Sequence, residues 1–130
     1  MYVVAGNVAD LAAGVYRYLP REHRLMRVAS GDRRKALVDA ALGQGSVRNA
    51  PAILVVSGVY SRTAAKYGER AARYVHMEAG AAAQNVYLQA EALDLATVLV
   101  GAFGDRQVQE ALELPKDHEP LVLLPVGWEE

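Results

Sequence analysis

Runs of apolar and β-branched residues, separated by turn residues, predict the strands of this chain. A first short strand is predicted from Tyr2 to Ala5. Two alternating segments, 14–18 and 25–29, flank the polar stretch PREHR and predict a hairpin with one face toward the core and the other toward water. Continuous apolar runs predict three further, buried strands at 52–56, 97–100 and 121–124.

A period of about 3.6 residues in the apolar positions predicts the helices. The longest helix runs from about residue 69 to about residue 93 and contains no proline; its apolar positions are Val75, Ala79, Ala83, Val86, Ala90 and Leu93. Small residues between Ala79 and Ala83 predict close packing of this helix, either in the core or across a dimer. Shorter helices are predicted from about 32 to about 42, where Asp32 can cap the first turn, and from Asp105 to Leu112.

The order of these elements predicts the fold class. Strand, hairpin, helix, strand, long helix, strand, helix and strand follow one another without a repeat or a linker. This order favours an α+β fold in which a mixed, largely antiparallel central sheet carries packed helices. A chain of 130 residues can bury about two-thirds of its unfolded surface in one core, so we expect a single domain over residues 1–130.

Composition and charge exclude several classes of function. The formal net charge is -1, so nucleic acid is not indicated as a partner. The absence of cysteine excludes disulfides, zinc–thiolate sites and thiol catalysis. No apolar stretch approaches the roughly 18 residues of a membrane span, and the first residues do not resemble a signal peptide. We therefore expect a cytoplasmic protein that binds neither nucleic acid nor membrane.

Side chains that could carry out acid–base or nucleophilic chemistry are not grouped in the sequence. The histidines His23, His76 and His118 fall in a turn, on the long helix and in a polar loop, without metal-ligand spacing between them. The serines lack a GxSxG context, and neither a Walker A motif nor GxGxxG occurs. If the protein is an enzyme, we therefore expect a cofactor to supply the reactive group, with no catalytic side chain and no metal.

The segment TVLVGAFG, residues 97–104, ends a hydrophobic strand in small residues. Gly101 and Ala102 follow Val100, and the chain's one phenylalanine, Phe103, comes next. A glycine at this point predicts either a turn or the close approach of something flat to the backbone. We expect Phe103 to anchor the turn from below rather than to contact a ligand.

The segments APAILVVS, KYGERAARYVHMEAGAAAQNVYLQAEALDLATVLVGAF and PLVLLPVG occur in this order along the chain. As a set they resemble the FMN-dependent nitroreductase family, and within it the dehydrogenase-like subgroup related to the azoline oxidases of peptide-modifying pathways. The resemblance extends over roughly positions 1 to 127. It implies a homodimer with two FMN molecules at its interface, in which NAD(P)H passes hydride through flavin N5 to an acceptor that the sequence does not identify.

The resemblance also implies a set of flavin-binding residues. Val100, Gly101 and Ala102 match the strand end whose backbone lies along the isoalloxazine ring, with an amide N–H near N5. Gln44 matches a glutamine that hydrogen-bonds the pyrimidine end of the ring, and Ser46 in the same loop is a second candidate. The long helix matches the family's helix at the dimer interface.

Two parts of the family pattern have no counterpart in this sequence. Family members carry an arginine- and serine-rich segment that binds the FMN phosphate before the strand that begins here at Tyr2. They also carry a basic residue beyond the PVG strand end that pairs with the phosphate. The resemblance therefore implies that the nitroreductase-like domain over 1–130 is shortened at both ends.

Three functional hypotheses stay open at the level of sequence. The first is an FMN-dependent NAD(P)H oxidoreductase that works as a homodimer. The second is a non-catalytic or split module of the same fold, which binds flavin weakly or not at all and acts with a second chain that supplies the missing flavin-binding segment. The third is a different flat ligand in the same cleft.

Overall fold

One antiparallel sheet forms the centre of the computed structural model, which describes residues 1–128; Glu129 and Glu130 lie outside the described residues. Its strands, β1 to β6, are Tyr2–Ala5, Gly14–Leu19, Arg24–Ser30, Ala52–Gly58, Ala96–Thr97 and Glu119–Gly127. They lie in the order β3-β2-β1-β4-β6-β5, and each neighbouring pair is antiparallel. The predicted α+β fold with a largely antiparallel sheet is confirmed.

Helices cover both faces of this sheet. Within residues 1–128 the α-helices, α1 to α5, are Arg34–Ala40, Gly45–Asn49, Tyr60–Tyr67, Ala71–Ala92 and Asp105–Leu112. The larger core cluster joins α1, α2 and α5 to the face of β4 that carries Ile53 and Val55. The smaller cluster joins α4 to the opposite face, because side chains alternate along a strand. None of these helices is both long and apolar enough to span a membrane.

The long helix α4 lies very close to the sheet. Ala79 and Ala83 are buried against Val56 and its neighbours on β6, so the small side chains predicted for close packing are used within the chain. At Gly58 an added Cβ atom would lie 2.7 Å from Cγ1 of Val75, which leaves no room for a side chain there. The predicted bounds of about 69 and about 93 agree with the structure within two residues.

The first predicted helix is shorter than expected, and two helices were not predicted. α1 ends at Ala40, and Leu42 takes a left-handed conformation with φ 57°, which ends the helical path before Gly43. Leu42, at the predicted end of this helix, is 73% exposed for this reason. α2 has five residues and α3 has eight, so neither offers the long run of apolar positions from which a helix is predicted.

The predicted strand over 97–100 is wrong in its middle. Thr97 pairs with Val126 and Val100 pairs with Leu123, but residues 98 and 99 are exposed and do not belong to the strand. In the same register Pro125 lies opposite residue 98, and a proline has no N–H to donate to a ladder. The strand is therefore interrupted where its partner cannot complete the hydrogen bonding.

Two further expectations need correction. The edge strand β3 was predicted to turn one face toward the core, but only Ala29 is buried, because no helix of residues 1–128 packs on this end of the sheet. His118 was placed in a polar loop, but it is only 7% exposed. Its Nδ1 lies 2.5 Å from the hydroxyl of Tyr2, so the ring joins the start of β1 to the start of β6.

Candidate functional site

The loop between β5 and α5 carries three of the residues that the sequence analysis assigned to a ligand. Val100 is buried, and its N–H donates to the carbonyl of Leu123 at 2.8 Å, while its carbonyl accepts from the Leu123 N–H at 3.0 Å. Both backbone groups of Val100 are therefore used by β6. Val100 fixes the start of the loop and has no backbone donor left for a ligand.

Gly101 and Ala102 present the opposite situation, because both are exposed and their backbone is open. Among residues 1–128, neither of their amide N–H groups donates a hydrogen bond. A Cβ atom added at Gly101 would meet only Cδ2 of Leu99, at an ordinary 3.9 Å. The packing of the chain therefore does not require a glycine at this position. The open space beside Gly101 is available to a bound molecule.

The rest of the loop is firmly attached to the core. Phe103 packs against the larger core cluster, as expected of an anchor below the turn. The N–H of Gly104 donates to the carbonyl of Ala40 at 2.9 Å, which joins the loop to the end of α1. The exposed pair Gly101–Ala102 is thus held on a rigid support, as a site for a defined ligand requires.

Gln44 completes this surface from the other side. Its Nε2 donates to the carbonyl of Ala102 at 2.8 Å and to the carbonyl of Ala41 at 3.0 Å. Since an amide nitrogen has two hydrogens, both donors are used within the chain and only the acceptor Oε1 is left. We call the surface formed by Gln44, Gly101 and Ala102 the Gly101 edge; it offers two backbone donors and one side-chain acceptor.

Ser46 lies elsewhere, on α2, and lines a cleft of about 610 Å³ where the ends of three strands meet. We call it the strand-end cleft. Its walls come from the ends of β1, β4 and β6, from α1 and α2, and from the start of the 97–100 segment: Asn7, Arg34, Ser46, Asn49, Ala50, Pro51, Ala96, Thr97, Val98, Pro125, Gly127 and Trp128. Gln44 does not line this cleft, so the structure separates the two candidate residues of that loop.

Arg34 is a positive charge in the strand-end cleft that the sequence analysis did not identify. Its guanidinium pairs with Asp32 at 2.7 Å and donates to the carbonyl of Ala50 at 3.1 Å. These hydrogen bonds hold the pKa of the Asp32 carboxyl below its ordinary value and raise the pKa of Arg34. Gly6 makes room for the side chain, because a Cβ atom there would overlap its Nε. Gly6, the turn glycine after β1, was the sequence signal that could have revealed the position of Arg34.

The strand-end cleft also contains a buried polar atom without a partner. The hydroxyl oxygen of Thr97 is buried and forms no hydrogen bond with any residue of the described range 1–128. Trp128 stands at the rim, with most of its indole exposed. The cleft is therefore polar near Arg34 and apolar near Trp128.

The residues at the Gly101 edge fit the edge of a flat heterocycle such as isoalloxazine. Such a ring has acceptor atoms that can receive the two backbone N–H groups and an N–H that can donate to Oε1 of Gln44. The small side chains at 101 and 102 allow the plane to approach the backbone. The arrangement offers no side chain for nucleophilic attack, so its chemistry is binding and orienting.

Comparisons with known proteins show the family and the fold to which this chain is similar. The model of the nitroreductase family matches residues 1–128. A protein of Methanocaldococcus jannaschii named as a nitroreductase is 44% identical over 127 residues, which are 98% of this chain and 63% of the relative. This chain therefore spans a little under two-thirds of that relative's length.

Three solved structures have a similar fold. A protein from Anabaena variabilis named as a nitroreductase is 32% identical with a TM-score of 0.94, over 99% of this chain and 26% of that one. The McbBCD microcin synthetase complex of E. coli, with truncated pro-MccB17 bound, contains a chain that is 25% identical with a TM-score of 0.85, over 99% of this chain and 51% of that one. The NADPH:FMN oxidoreductase of Vibrio harveyi, complexed with NAD+, is 27% identical with a TM-score of 0.64, over 75% of this chain and 46% of that one.

The family match extends over all the elements that build the Gly101 edge. It includes the loop with Gln44, the interrupted strand that ends at Val100 and the long helix α4. The similarity in sequence and the similarity in fold therefore concern the same part of the chain. On these grounds the chain belongs to the nitroreductase family.

Proposed function

We propose that this protein is a nitroreductase-like oxidoreductase that holds FMN at the Gly101 edge. The bound FMN would supply hydride transfer from NAD(P)H to an acceptor. The family is generally flavin-dependent, and one structural neighbour is named as an NADPH:FMN oxidoreductase. The observation that carries the proposal is the pair of exposed, unpaired N–H groups at Gly101 and Ala102, beside a glycine that the chain itself does not require.

Each residue of the Gly101 edge has a defined role in this proposal. The N–H groups of Gly101 and Ala102 donate to ring acceptors, and such donors near the reactive nitrogen favour the reduced ring. Oε1 of Gln44 accepts from a ring N–H, while its Nε2 keeps the carbonyl of Ala102 in place. Val100 orients the loop through its two bonds to Leu123. Ser46 and Arg34 face the neighbouring cleft, where they would contact the polar tail of the cofactor.

The comparisons favour the azoline-oxidase-like subgroup within the family. The microcin synthetase chain matches 99% of this chain, whereas the Vibrio harveyi oxidoreductase matches 75%. We therefore assign the protein to this subgroup as part of the proposal, without naming its electron acceptor.

We further propose that α4 pairs with α4 of a second copy to form a homodimer. Gly80 lies on this helix, and an added Cβ atom would have no neighbour within 4 Å. A glycine inside a helix is less favourable than alanine by about 1 kcal/mol, and no close neighbour within residues 1–128 requires a glycine at position 80. Met77 and Leu88 are also exposed on the helix, so an apolar surface is available to a partner.

A split or non-catalytic module remains the alternative function. Under this alternative Arg34 stays paired with Asp32, and a neutralised arginine attracts a phosphate less than an unpaired one. In that case a second chain supplies the phosphate contacts. A different flat ligand at the Gly101 edge is a further prediction. The cytoplasmic location is a separate prediction.

Titration with FMN tests the proposed function. We expect the unchanged protein to quench flavin fluorescence and to retain visible flavin absorbance after gel filtration. Gly101→Val should weaken FMN binding by about tenfold or more, because its methyl groups occupy the space of the ring. The open surroundings of Gly101 predict that the variant folds normally, which circular dichroism and thermal unfolding would check.

Gly101→Ala is the matched control, since one added methyl group should weaken binding less than the two methyl groups of valine. Equal FMN affinity in the unchanged protein and in Gly101→Val would contradict the placement of the ring. A protein that stays colourless at saturating FMN would contradict the flavin proposal itself and favour the split module.

A further inference from the structure

Leu99 lies in the interrupted segment before the Gly101 edge, and β6 does not use its backbone N–H. Both backbone groups of the next residue, Val100, bond to Leu123 on β6. The backbone groups of neighbouring residues point in opposite directions along an extended segment, so the N–H of Leu99 points away from β6. It faces the outer side of the described sheet, where no further strand follows. A donor in this position needs a partner from another element or from water.

Tyr87 on the long helix α4 supplies that partner. Its hydroxyl oxygen accepts a hydrogen bond from the Leu99 N–H, with 2.6 Å between nitrogen and oxygen. The ring of Tyr87 packs against the smaller core cluster, which also holds Ala83 of the same helix. The core therefore fixes the position of the hydroxyl, and the bond attaches an exposed residue to a rigid element.

The side chain of Leu99 lies directly beside Gly101. Apart from the two chain neighbours of Gly101, the one atom of residues 1–128 within 4 Å of an added Cβ would be Cδ2 of Leu99, at 3.9 Å. Leu99 is 43% exposed, so much of its apolar surface is free. A molecule that fills the space beside Gly101 therefore also contacts Leu99.

Leu99 offers a kind of contact that the Gly101 edge otherwise lacks. The backbone donors of Gly101 and Ala102 and Oε1 of Gln44 are polar and serve the polar atoms along the rim of a flat ring. Most of the surface of such a ring is apolar and is bound by apolar side chains. A side chain that is already held in place contributes more to affinity, because ordering it on binding costs free energy.

We infer that Tyr87 is a positioning residue of the Gly101 edge, and that it acts by holding the Leu99 side chain beside the place of the bound ring. The inference rests on the proposed function in taking FMN as the ligand. The segment is then fixed at two consecutive residues, Val100 by β6 and Leu99 by α4. Tyr87 orders the site before FMN binds and takes no part in the chemistry.

Measurements on the protein without FMN test the hydrogen bond and its effect on Leu99. Tyr87→Phe removes the hydroxyl and keeps the ring, so the core packing of α4 is retained. We expect the Leu99 amide to exchange with solvent about tenfold faster in this variant, because its hydrogen bond is lost. The methyl order parameter of Leu99 and the nuclear Overhauser effect between its methyl groups and the Gly101 α-protons should both decrease. Thermal unfolding should change little, since water can replace an exposed hydrogen bond.

Tyr74→Phe is the matched control for these measurements. It makes the same change on the same helix, at a ring that packs edge to face against Tyr67. We expect it to leave the exchange of the Leu99 amide and the motion of the Leu99 methyl groups unchanged.

Fluorescence titration with FMN tests the role of Leu99 in the site. Tyr87→Phe and Leu99→Ala should each weaken FMN binding by about fivefold. Because Tyr87 acts through Leu99, the double variant should bind FMN no more weakly than Leu99→Ala alone, whereas independent structural effects would add. Leu25→Ala removes a similarly exposed leucine, 39% exposed on β3, and should leave FMN binding unchanged.

Three results would overturn the inference. The first is unchanged exchange of the Leu99 amide in Tyr87→Phe. The second is faster exchange with unchanged FMN affinity, since the bond would then not matter to the site. The third is a full further loss of affinity when Tyr87→Phe is added to Leu99→Ala, since Tyr87 would then act by another route. Failure of the proposed function has a different signature, because the unchanged protein would then bind no FMN while the exchange data still decide whether Tyr87 holds Leu99.

Discussion

At the scale of single residues, the amide of Gln44 decides which ligand atoms the Gly101 edge can receive. A glutamine normally offers two donors and one acceptor carbonyl. Here the carbonyls of Ala41 and Ala102 take both donors, so a ligand meets only Oε1. A ring carbonyl facing Gln44 would place two acceptors together, whereas a ring N–H would form a hydrogen bond.

This polarity predicts a preference between two closely related flavins. In FMN the pyrimidine nitrogen N3 carries a hydrogen, and in N3-methyl-FMN a methyl group replaces it. We expect the unchanged protein to bind N3-methyl-FMN about tenfold more weakly, the equivalent of one hydrogen bond of about 1.4 kcal/mol. Fluorescence titration of both flavins measures the ratio.

Two variants show whether Gln44 is responsible. Gln44→Ala removes the acceptor and should bring the two affinities together, while Leu42→Ala changes an exposed residue of the same loop and should leave the ratio as it was. Tight binding of both flavins with no preference in the unchanged protein would show that N3 does not face Gln44.

At the scale of elements, Tyr2 and His118 join two strands that do not pair with each other. Tyr2 begins β1 and His118 precedes β6, with β4 between these strands in the sheet. Burial lowers the pKa of His118 and raises the pKa of Tyr2, because a charged ring or phenolate would lose its hydration. Nδ1 of the neutral imidazole accepts a hydrogen bond from the Tyr2 hydroxyl, so both side chains have a partner.

This pair predicts how stability depends on pH. Unfolded His118 binds a proton at its ordinary pKa of about 6.5, while the folded protein binds it only at lower pH. The free energy of unfolding should therefore be highest above about pH 6.5 and should fall as the pH is lowered through that value. Urea unfolding between about pH 5 and about pH 8 measures the slope.

Substitutions at both partners separate this effect from general acid unfolding. Tyr2→Phe should lower stability by about 1 kcal/mol at neutral pH, because it leaves a buried nitrogen without its donor. His118→Phe should reduce the slope below about pH 6.5. An identical slope in His118→Phe would assign the pH dependence to other groups.

The sequence predicted the elements that have a strong apolar signal and missed those that depend on distant partners. β1, α4 and α5 were predicted nearly to the residue, because their apolar positions repeat with a clear period. The interruption before Val100 could not be predicted from its own segment, since its cause is Pro125 on another strand. The hydrogen-bond partner of His118 is likewise distant in sequence, since Tyr2 is 116 residues away.

Three of the five residues that the resemblance indicated lie together in the structure, but their hydrogen bonding was not predicted. The resemblance indicated Gln44, Gly101 and Ala102, and the structure brings these three together. The direction of the Gln44 amide follows from carbonyls that only the folded chain places nearby. Arg34 was missed because its approach to the cleft depends on Gly6, which reads in the sequence as an ordinary turn residue.

At the scale of the whole molecule, the exposed surface of α4 predicts the oligomeric state. We expect sedimentation velocity to show a dimer for the unchanged protein and a shift toward monomer for Gly80→Glu, which adds a charge to the proposed interface. Replacing a helical glycine should not destabilise the monomer, because glycine is the less favourable helix residue. Dissociation would therefore report on the interface rather than on folding.

Ala36→Glu is the control for this experiment. It adds the same charge at an exposed position of α1, on the other face of the sheet, and should leave the dimer intact. A monomer at all concentrations of the unchanged protein would contradict the proposed pairing of α4.

The uncovered strand β3 has a consequence for solubility. Leu25, Met26 and Val28 are exposed on an edge of the sheet, where unpaired backbone groups can add the strand of another molecule. Arg27 lies between Met26 and Val28, and its charge repels a second β3 that approaches edge to edge, whereas Arg24 at the start of the strand pairs with Glu22. We therefore expect Arg27 to act as a gatekeeper against aggregation through this edge strand.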